Sequence, residues 1–565
     1  MSLLKRKLTW RGLQGRGDPV QLKVAVLSTF TADTMAPFLG TALSDMALTA
    51  SVHIGGFNQV LAECLMSNSA TAQLQPDVLV VWSRLEDVWS GVDQPLVDPV
   101  ASYVELLLGH VEAAIGAAAE WSSTLVFVLP ALPELRPLGV GDAGNPLGVT
   151  AAGTAAREAA RQRLAEVPGV LVADAEEVIR ALGSRQALDP RTLIIGRIPY
   201  TDQCIADVAD RIARLIGLQR NGARKVVVVD ADNTLWGGVV GEDGPDGIDL
   251  LDSGPGEAFR AFQRWLVELT RAGTLVALAS KNNEADVWEG FARREMVLKR
   301  EHVAAWRINW EPKSDNIQAL AHQLNLGLSS FVFIDDNPLE ISEVESSHLD
   351  LRVLTMPDDP AYWTRLAESG LLDRLVPTAE DLSRNGSYQA EAHRSVVRAQ
   401  MEPGEFLATL AVAVEVRVAE ASDVGRLAQL VAKTNQFTLG GHRHSEPELA
   451  ALVVRRPRDV LMVHAVDRFG DYGVVGAMVM ERGTVATRLD TFVLSCRAMG
   501  RGVEDAMLAS AVEFADHHDV GVIIHVTDKN IPARQFFARH GVVPGSTALI
   551  SAMVTWPDHV ARITR

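Results

Sequence analysis

Residues 225–236, with the sequence KVVVVDADNTLW, constrain the fold of this chain more than any other stretch. The consecutive valines predict a strand buried on both faces, as in a parallel sheet, and a polar run follows directly. Open α/β sheets bind ligands just beyond the carboxyl ends of their strands. Asp230 and Asp232 are two residues apart, so on a continuing strand both carboxylates face the same way and could share one hard cation with a phosphate. The stretch therefore predicts a phosphate site.

Three later stretches add the groups that a phosphate site needs. Ser280 ends an apolar strand predicted at 275–280 and offers a hydroxyl to a phosphoryl oxygen. Lys313 offers a cation, and Asp335 and Asp336 end a further predicted strand with paired acids. A single DxD motif after a strand most often marks a turn or a helix cap. An ordered set of such matches, mostly at strand ends, favours a functional site instead.

In this order, the stretches resemble the haloacid dehalogenase (HAD) superfamily of phosphotransferases. The resemblance implies that Asp230 is the nucleophile that forms an aspartyl-phosphate and that Asp232 is the general acid/base. Ser280 and Lys313 would clamp the phosphate, and a carboxylate becomes a competent phosphoryl acceptor once Mg²⁺ and a lysine spread the charge. The implied Mg²⁺ ligands are Asp230, Asp232, Asp335 and Asp336, and the flanking residues expected to contact substrate are Thr234 and Asn282.

Composition bounds the class of protein. At 565 residues the chain has room for about three to four domains of roughly 150 residues each. No apolar run approaches the ~20 residues of a membrane span, and the charged start lacks the apolar segment of a signal peptide. The net charge of −18 argues against nucleic-acid binding, and three cysteines without a CxxC motif favour a reducing compartment. We therefore expect a cytoplasmic protein that binds neither nucleic acid nor membrane.

The N-terminal part, residues 1–222, alternates predicted strands and helices. Residues 1 to about 20 are basic and glycine-rich and predict a flexible arm. Apolar strands are predicted at 23–31, 78–82 and 124–129, with Ala- and Leu-rich helices such as 100–121 and 153–165 between or after them. The pattern predicts an α/β domain with a parallel sheet.

Ser28, Asn68 and Asp202 in this domain resemble the arrangement of SGNH hydrolases. The expected Asp-x-x-His is missing, because Asp202 is followed by Gln203, Cys204 and Ile205. Without a base the serine is not activated. We therefore expect an SGNH-like domain that binds or docks and does not hydrolyse.

Residues 223–375 show the doubly wound pattern of a HAD-like Rossmannoid core. A helix at 205–221 leads into this domain, and further helices are predicted at 256–271, 283–294 and 314–324 between strands. The glycines of 237–244 predict tight turns, either in a flap over the site or in an ordinary hairpin. A charged helical linker is expected at 376–400.

Residues 401–565 change character and predict an α+β domain. Strands are predicted at 412–418, 460–466 and 476–481, with a helix over 421–433. A strand that ends near 495, the pattern Arg-x-x-Gly-x-Gly and a helix at 503–515 leave backbone N–H groups free at a helix N-terminus to bind pyrophosphate.

This loop resembles the acyl-CoA loop of the GNAT acyltransferases, and residues 530–541, NIPARQFFARHG, resemble the later helix of that family. The resemblance implies that Asn530 and an aromatic side chain lie beside a pantetheine arm. The expected pantetheine or carrier contacts are Arg497, Gly500, Arg501, Gly502 and Asn530, and Arg534 and Arg539 are further candidates for docking an acidic carrier.

Across essentially its whole length the chain resembles the FkbH family of polyketide biosynthesis. Family membership implies loading of a glyceryl unit from 1,3-bisphosphoglycerate onto the phosphopantetheine thiol of an acyl carrier protein. Dephosphorylation accompanies the loading, and the product feeds methoxymalonyl extender units or tetronates. The resemblance rests on the motifs at 230–244, 309–316, 333–338, 433–439 and 494–504.

The domains suit this reaction. An acyl phosphate is already activated toward a thiol, with Mg²⁺ and Lys313 stabilising the departing charge, and the remaining phosphate ester would be hydrolysed through Asp230. FkbH relatives often have a cysteine between the two aspartates, where this chain has Ala231. Three readings stay open: a thioester on Cys496, direct transfer to the carrier, or a lost nucleophile. An ordinary buried cysteine is the alternative for Cys496.

Other polar residues have weaker signals. Asn435 and Gln436 could bind the glyceryl hydroxyls or form a polar turn. His442 and His444 have the spacing of a metal pair, but without nearby acids or cysteines a solvated loop is favoured. Trp236 is expected to pack in the core.

Two further functions remain alternatives to glyceryl transfer. One is a carrier-binding scaffold with a vestigial phosphatase core. The other is a Mg²⁺-dependent small-molecule phosphatase fused to an unrelated acetyltransferase.

Overall fold

The structure is a computed structural model of the whole chain. It describes residues 2–15, 19–89, 100–377, 381–382, 386, 388, 394, 401, 403–483, 486–515, 519–550 and 554–564. The chain forms two units, the first made of Met1–Ala223 with Ser369–Val376 and the second of Arg224–Glu368 with Pro377–Arg565. Most of the linker expected at 376–400 lies outside the described residues.

Unit 1 is built on a five-stranded parallel sheet in the order β2-β1-β3-β4-β5. Helices connect successive strands, as parallel pairing requires. The strands are β1 Leu22–Ser28, β2 Ala50–Ile54, β3 Val78–Trp82, β4 Thr124–Leu129 and β5 Leu171–Asp174. The helices are α1 Leu3–Gly15, α2 Met35–Asp45, α3 Val60–Leu65, α4 Ala70–Leu74, α5 Leu85–Val88, α6 Val100–Trp121, α7 Val149–Ala165, α8 Ala175–Leu182, α9 Ser184–Ala187, α10 Pro190–Gly196 and α11 Asp202–Asn221.

The prediction of a flexible N-terminal arm was wrong, because α1 forms there and packs on α2. Trp10 is buried against Gly40, where an added Cβ would lie 2.1 Å from the indole ring. The buried Arg6 guanidinium donates to Asp210 of α11 and, at 2.9 Å, to the carbonyl oxygen of Phe38. The basic residues that suggested a solvated arm therefore anchor the helix.

One helix of unit 1 is more apolar than the sequence analysis recognised. Among the described residues, α6 is long and apolar enough to cross a membrane by length and composition alone. In the structure its buried face, with Tyr103, Leu107 and Val111, belongs to the core on one side of the sheet. Its apolar character is thus partly used in packing.

The serine of the SGNH-like pattern is not exposed. Ser28 is buried, and its hydroxyl donates to the carbonyl oxygen of Phe30 at 2.6 Å. Asp202 pairs with Lys7 of α1, and Asn68 is exposed on the segment between α3 and α4. The expectation that the domain does not hydrolyse stays a prediction.

The first part of unit 2 is a second five-stranded parallel sheet, in the order β10-β9-β6-β7-β8. Helices again connect its strands, which gives the predicted doubly wound pattern. The strands are β6 Val226–Val229, β7 Leu275–Ser280, β8 Val303–Ile308, β9 Phe331–Asp335 and β10 Arg352–Thr355. The helices are α12 Val240–Asp243, α13 Gly254–Arg271, α14 Glu284–Ala292, α15 Lys313–Leu324, α16 Pro338–Ser347 and α17 Thr364–Glu368.

The glycine-rich segment 237–244 is neither a simple hairpin nor all turn. An isolated antiparallel bridge joins Gly237 and Asp249, and the short helix α12 lies between them. Gly238 has φ +93°, a conformation that favours glycine. The Asp243 carboxylate accepts from the Val239 backbone N–H at 2.8 Å and closes this turn.

The second part of unit 2 is a seven-stranded mixed sheet, in the order β16-β15-β14-β13-β12-β11-β17. It is antiparallel from β11 to β14 and parallel between β14 and β15. The strands are β11 Ala413–Val418, β12 Val460–Asp467, β13 Gly470–Arg482, β14 Thr487–Leu494, β15 Val520–Ile523, β16 Thr547–Ile550 and β17 Ala561–Arg562. The helices are α18 Pro403–Leu410, α19 Val424–Lys433, α20 Glu446–Arg455, α21 Val503–Phe514 and α22 Ile531–Ala538.

Strands β14 and β15 pair over three residues and then separate, and the segment 437–440 fills the gap. The Leu494 backbone N–H donates to the carbonyl oxygen of Phe437 at 3.1 Å, and the His525 N–H donates to that of Leu439 at 2.7 Å. These two backbone N–H groups, which the separation of the strands would leave open, are thereby satisfied from within the chain.

The multidomain α/β class predicted from the sequence is confirmed by these sheets. The GNAT-like assignment of residues 401–565 stays a prediction.

Candidate functional site

The parallel sheet of unit 2 brings three predicted site residues to one edge. Strand β6 lies between β7 and β9, and all three run in the same direction. Asp230 directly follows β6, Ser280 is the last residue of β7, and Asp335 is the last residue of β9. Their side chains therefore meet at the carboxyl edge of the sheet, where α/β folds bind ligands.

Lys313 joins this cluster from the first residue of α15. Its Nζ lies 3.1 Å from Asp230 Oδ1 and 2.5 Å from Asp335 Oδ2, and all three side chains are buried. The preceding loop is held by reciprocal amide hydrogen bonds between Asn309 and Asn316, at 3.1 and 2.8 Å. These bonds fix where α15 begins and hence where the ammonium group lies.

Burial sets the electrostatics of the cluster. It raises the pKa of the Asp230 carboxyl to about 6; nearby Lys313 opposes the shift and Asp335 adds to it. Burial also raises the pKa values of Asp335 and Asp336. For Lys313 burial lowers the pKa, but the two carboxylates outweigh this effect and leave its pKa raised. A bound cation would therefore stabilise the ionised forms of these buried carboxyl groups.

The donor set fits a hard divalent cation. One carboxylate oxygen each from Asp230, Asp335 and Asp336 lies within 4.8 Å of the others. Asp230 Oδ1 is buried and, apart from its ion pair with Lys313, accepts no hydrogen bond of good geometry from the described residues. An all-oxygen set with an unsatisfied buried carboxylate oxygen is suited to Mg²⁺.

Asp232, which was also predicted as a metal ligand, has a different environment. Its Oδ1 accepts from the Trp236 indole at 2.9 Å and from the Val240 N–H at 3.0 Å. Its Oδ2 accepts from Asn282 at 2.8 Å. Among the described residues it is not part of the three-carboxylate group. The structure therefore holds the Asp232 carboxylate in a fixed orientation, through three N–H donors, outside the three-carboxylate group.

Two residues predicted to contact substrate, Asn282 and Thr234, are buried inside the protein. Asn282 is buried, and its amide donates to Asp232 and, at 3.3 Å, to the Ser280 hydroxyl. Thr234 is fully buried, and its hydroxyl has no hydrogen-bond partner among the described residues. Asn282 thus positions Asp232, and Thr234 offers no exposed surface to a substrate.

A second site is a cavity of about 790 Å³ within unit 2. It is lined by the C-terminal end of α15 and by loops of the seven-stranded sheet. The structure brings together here five residues that the sequence analysis named as candidates, Asn435, Gln436, Cys496, Arg497 and Arg501. A cavity of this size is typical of small-molecule sites.

Cys496 is exposed on the wall of this cavity, so the alternative of a buried cysteine is excluded. The Asn325 side-chain amide donates to its sulfur at 3.3 Å. Asn325 is the C-cap of α15 with φ 50°, a left-handed conformation that asparagine tolerates. By contrast, Cys64 and Cys204 are buried, and burial raises the pKa of each thiol to about 12.

Arg501 forms part of the cavity wall. It donates to the Tyr472 hydroxyl and to the carbonyl oxygen of Arg497, both at 2.5 Å. Arg394 also contacts Tyr472. Its guanidinium carbon lies 4.4 Å from the centre of the Tyr472 ring, and it forms an ion pair with the buried side chain of Asp467. The guanidinium groups therefore belong to an ordered network around one tyrosine.

The glycine loop has the predicted backbone conformation, but one backbone N–H that was predicted to be free already donates a hydrogen bond. Gly500 and Gly502 have φ +72° and +83°, and α21 follows directly. The Gly500 N–H, however, donates to the Glu504 carboxylate at 3.0 Å. An acidic side chain thus takes an N–H that was expected to bind pyrophosphate.

The side chain of Asn530 also makes its hydrogen bonds to backbone groups of the protein. It is fully buried, and its amide donates to the carbonyl oxygens of Thr438 and His525 at 3.2 and 2.8 Å. Its oxygen accepts from the Thr527 N–H at 3.0 Å. Asn530 therefore holds the segment 437–440 in place and leaves no polar atom for a pantetheine arm in this conformation.

The reason for dismissing His442 and His444 was wrong, because acids do lie beside them. His442 Nε2 is 3.4 Å from Glu448, and His444 Nε2 is 2.8 Å from Asp490. Glu448 also caps α20 through Ser445. The sequence could not place Asp490 here, since it comes from a distant strand.

The two sites lie at opposite ends of one helix. Lys313, in the cluster with Asp230 and Asp335, and Asn325, at the cavity, are separated by the 12 residues of α15, or about 18 Å. Strand β6 indicates a similar distance between the two sites. Lys225 lines the cavity and Asp230 lies in the cluster, and the extended chain between them is about 17 Å long. Cys496 is therefore not part of the cluster of Asp230, Lys313 and Asp335.

Comparison with known proteins agrees with the fold. No protein-family model and no curated protein matches the chain. It is similar to the N-terminal part of BF1531 from Bacteroides fragilis, a structure containing a phosphatase domain complexed with Mg, with TM-score 0.60 and 24% identity. The match covers 67% of this chain and 100% of that one, and at this identity it supports the fold alone.

A putative SGNH hydrolase from Slackia heliotrinireducens is 15% identical to the chain. That match covers 34% of this chain and 98% of the hydrolase, and its TM-score of 0.23 is too low to support an inference.

Sequence reasoning missed several residues that shape the sites. Trp236, expected only in the core, is buried and also donates to Asp232. Asn309 and Asn316 flank Lys313 in the sequence, and this pair of amides could have predicted a loop held by hydrogen bonds. Asn325 had no local signal, because its contact with Cys496 joins distant parts of the chain, whereas the contact between Gly500 and Glu504 is local and was overlooked.

Proposed function

We propose that this protein transfers a glyceryl unit from 1,3-bisphosphoglycerate to the phosphopantetheine thiol of an acyl carrier protein and removes a phosphate. The observation that supports it most is the buried cluster of Asp230, Lys313 and Asp335 at the carboxyl edge of the sheet. The FkbH resemblance supplies the substrate and the partner. A cytoplasmic location belongs to the same proposal.

The phosphatase half uses the cluster directly. Asp230 attacks the phosphorus of a phosphate ester, and Lys313 neutralises charge on both the carboxylate and the phosphoryl oxygens. Asp232, oriented by Trp236 and Asn282, protonates the leaving oxygen and then activates the water that hydrolyses the aspartyl-phosphate.

Asp230, Asp335 and Asp336 would hold the Mg²⁺ of this site. The ion would supply Lewis-acid stabilisation of the negatively charged phosphoryl group. The Mg-complexed phosphatase domain of similar fold is in keeping with this assignment.

The transfer half needs a thiol outside the phosphate cluster. Ala231, at the position where relatives often have a cysteine, is fully buried and has no nucleophilic atom. A carrier thiol can attack the acyl phosphate directly or receive the group from Cys496. The overall transfer is the same in both cases.

A Mg²⁺-dependent small-molecule phosphatase is the second candidate. It is favoured by the completeness of the Asp230 cluster, which takes none of its named residues from 401–565. Such an enzyme would release phosphate without any carrier.

The test is to incubate the full chain with Mg²⁺, 1,3-bisphosphoglycerate and a phosphopantetheinylated carrier, and to measure the intact mass of the carrier. The proposal predicts a glyceryl increment on the carrier. Phosphate release with an unmodified carrier would refute transfer and support the second candidate. A carrier without its phosphopantetheine arm is the control and should stay unmodified.

A further inference from the structure

A second group of possible metal ligands lies where the chain enters helix α20. It consists of His442, His444 and Glu448, and one ligand atom from each residue lies within 4.8 Å of the others. The two imidazole rings meet edge to face, with 4.6 Å between their centres. Two nitrogen donors and one carboxylate differ in kind from the all-oxygen group around Asp230. The proposed function makes no use of these three side chains.

Arg443, between the two histidines, holds the loop that carries them. Its guanidinium group donates to the carbonyl oxygens of Ala432 and Thr434 and, at 2.7 Å, to the side-chain oxygen of Asn435. The loop is therefore tied to the chain that follows α19, and a bound ion would not have to order it from a free state.

Glu448 has one carboxylate oxygen occupied and the other directed at His442. Its Oε2 accepts from the Ser445 N–H at 2.7 Å and from the Ser445 hydroxyl at 2.8 Å, in the capping box of α20. Its Oε1 lies 3.4 Å from His442 Nε2. An ordinary N–H···O hydrogen bond is shorter, about 2.9 Å, whereas neighbouring ligands of a tetrahedral Zn²⁺ with bonds of about 2.0–2.1 Å are about 3.4 Å apart. The spacing therefore fits two ligands of one ion.

His444 has the outer contact that is typical of a metal-bound histidine. Its Nε2 lies 2.8 Å from Asp490 Oδ2 on strand β14. When the neutral ring donates from Nε2 to this carboxylate, Nδ1 keeps its lone pair for an ion. Arg488 donates to the other Asp490 oxygen at 2.9 Å, so the carboxylate is itself held in place. The side chains of His444 and Asp490 are only 12% and 15% exposed.

We propose that His442, His444 and Glu448 bind Zn²⁺ and that Asp490 is a positioning residue that orients His444. Two imidazole donors favour a transition metal such as Zn²⁺ over Mg²⁺, which prefers oxygen ligands. Three protein ligands leave the fourth tetrahedral position to a water molecule or a ligand atom. This site is independent of the proposed function, since none of its residues belongs to the Asp230 cluster.

The ion would join separate elements of the seven-stranded part of unit 2. The histidine loop directly follows the segment 437–440 between β14 and β15, Glu448 belongs to α20, and Asp490 belongs to β14. An ion that binds only the folded state stabilises it. Zn²⁺ should therefore raise the temperature at which unit 2 unfolds.

The first experiment measures Zn²⁺ binding to the full chain by equilibrium dialysis in excess Mg²⁺, which competes for the oxygen ligands around Asp230. Glu448→Gln keeps a side chain that can complete the capping box, but it loses the charge. Asp490→Asn should weaken Zn²⁺ binding about tenfold or more, and Glu448→Gln should weaken it at least as much. His322→Gln, at an exposed histidine of α15, is the matched control and should bind Zn²⁺ as wild type does.

A second experiment locates the ion with diethyl pyrocarbonate, which modifies imidazole rings that no metal occupies, followed by peptide mapping. Zn²⁺ should protect His442 and His444, while exposed His322 in the same sample stays reactive. The protection should be lost in Glu448→Gln. Circular dichroism checks that each variant is folded.

The remaining outcomes would count against the site. Equal Zn²⁺ binding by wild type and Glu448→Gln, or displacement of Zn²⁺ by Mg²⁺, would overturn it. Equal weakening in His322→Gln would indicate adventitious binding through surface histidines and would overturn it as well. For Asp490→Asn, a lower unfolding temperature of the zinc-free protein with unchanged Zn²⁺ affinity would show a purely structural role and refute the positioning of His444.

Discussion

Lys313 and Asn325 lie at the two ends of helix α15, and each contacts a different candidate site. Lys313 pairs with Asp230 and Asp335 at the carboxyl edge of the sheet. Asn325 donates to Cys496 on the wall of the cavity. The helix therefore separates the Asp230 cluster from Cys496 by about 18 Å.

Replacing Asp230 with asparagine should abolish phosphate release. The change removes the attacking carboxylate and keeps its size, so phosphate release from a phosphate ester should fall at least about 10³-fold. A colorimetric phosphate assay measures this loss. Asp315→Asn, an exposed acid two residues from Lys313, is the control and should retain activity. Comparable losses in both variants would argue against Asp230 as nucleophile.

Asp335 and Asp232 should differ in their effect on Mg²⁺. Asp335 belongs to the three-carboxylate group, whereas Asp232 is occupied by Trp236 and Asn282. Asp335→Asn should weaken Mg²⁺ binding more than about tenfold, as measured by calorimetry. Asp232→Asn should bind the ion normally but lose about 10²-fold or more in phosphate release. Equal loss of binding in both variants would restore Asp232 as a ligand.

Mg²⁺ binding should weaken at acid pH. Burial raises the pKa of Asp230 to about 6, so the apo protein increasingly holds a proton there as the pH falls, and the ion must displace it. The affinity should drop about tenfold between pH 7 and pH 5, whereas a carboxylate with an ordinary pKa near 4 would show almost no change. Calorimetry in buffers of different ionisation enthalpy would also detect the released proton.

Much of the cluster around Asp230 could be predicted from the sequence, because its signals are local. A buried strand followed by acids fixes both the element and the end from which the side chains project, so Asp230, Ser280 and Asp335 could be placed at one edge. The role of Asn282 could not, because its hydrogen bond to Asp232 joins residues 50 positions apart.

The C-terminal domain was harder for the same reason. The glycine loop was recognised, but the nearby Glu504 carboxylate that binds Gly500 was overlooked. The position of the segment 437–440 between β14 and β15 depends on packing. Asn530 was assigned to a ligand on a motif and instead supports that segment. In this domain the motifs predicted the backbone conformation, but they did not predict which polar groups are left to bind a ligand.

Composition misled the prediction for the N-terminus, and the error yields a stability prediction. Trp10 is buried against Gly40, so Trp10→Ala should destabilise unit 1 by about 3 kcal/mol. A disordered arm would show no effect. Trp310→Ala, at a tryptophan that is 71% exposed, should change stability by less than about 0.5 kcal/mol. Urea unfolding followed by circular dichroism compares the two variants.

Asn325 should control the reactivity of Cys496 without supporting the fold. Asn325→Gly preserves the left-handed C-cap of α15, because glycine favours that conformation, but it removes the amide that donates to the sulfur. Alkylation of Cys496 by iodoacetamide at fixed pH should slow about tenfold, as expected when a hydrogen bond to a charged group is lost. Asn58→Gly is the matched control, since Asn58 has φ 54° in unit 1 and its loss should leave the rate unchanged. An unchanged rate in Asn325→Gly would contradict a role of this hydrogen bond in the reactivity of Cys496.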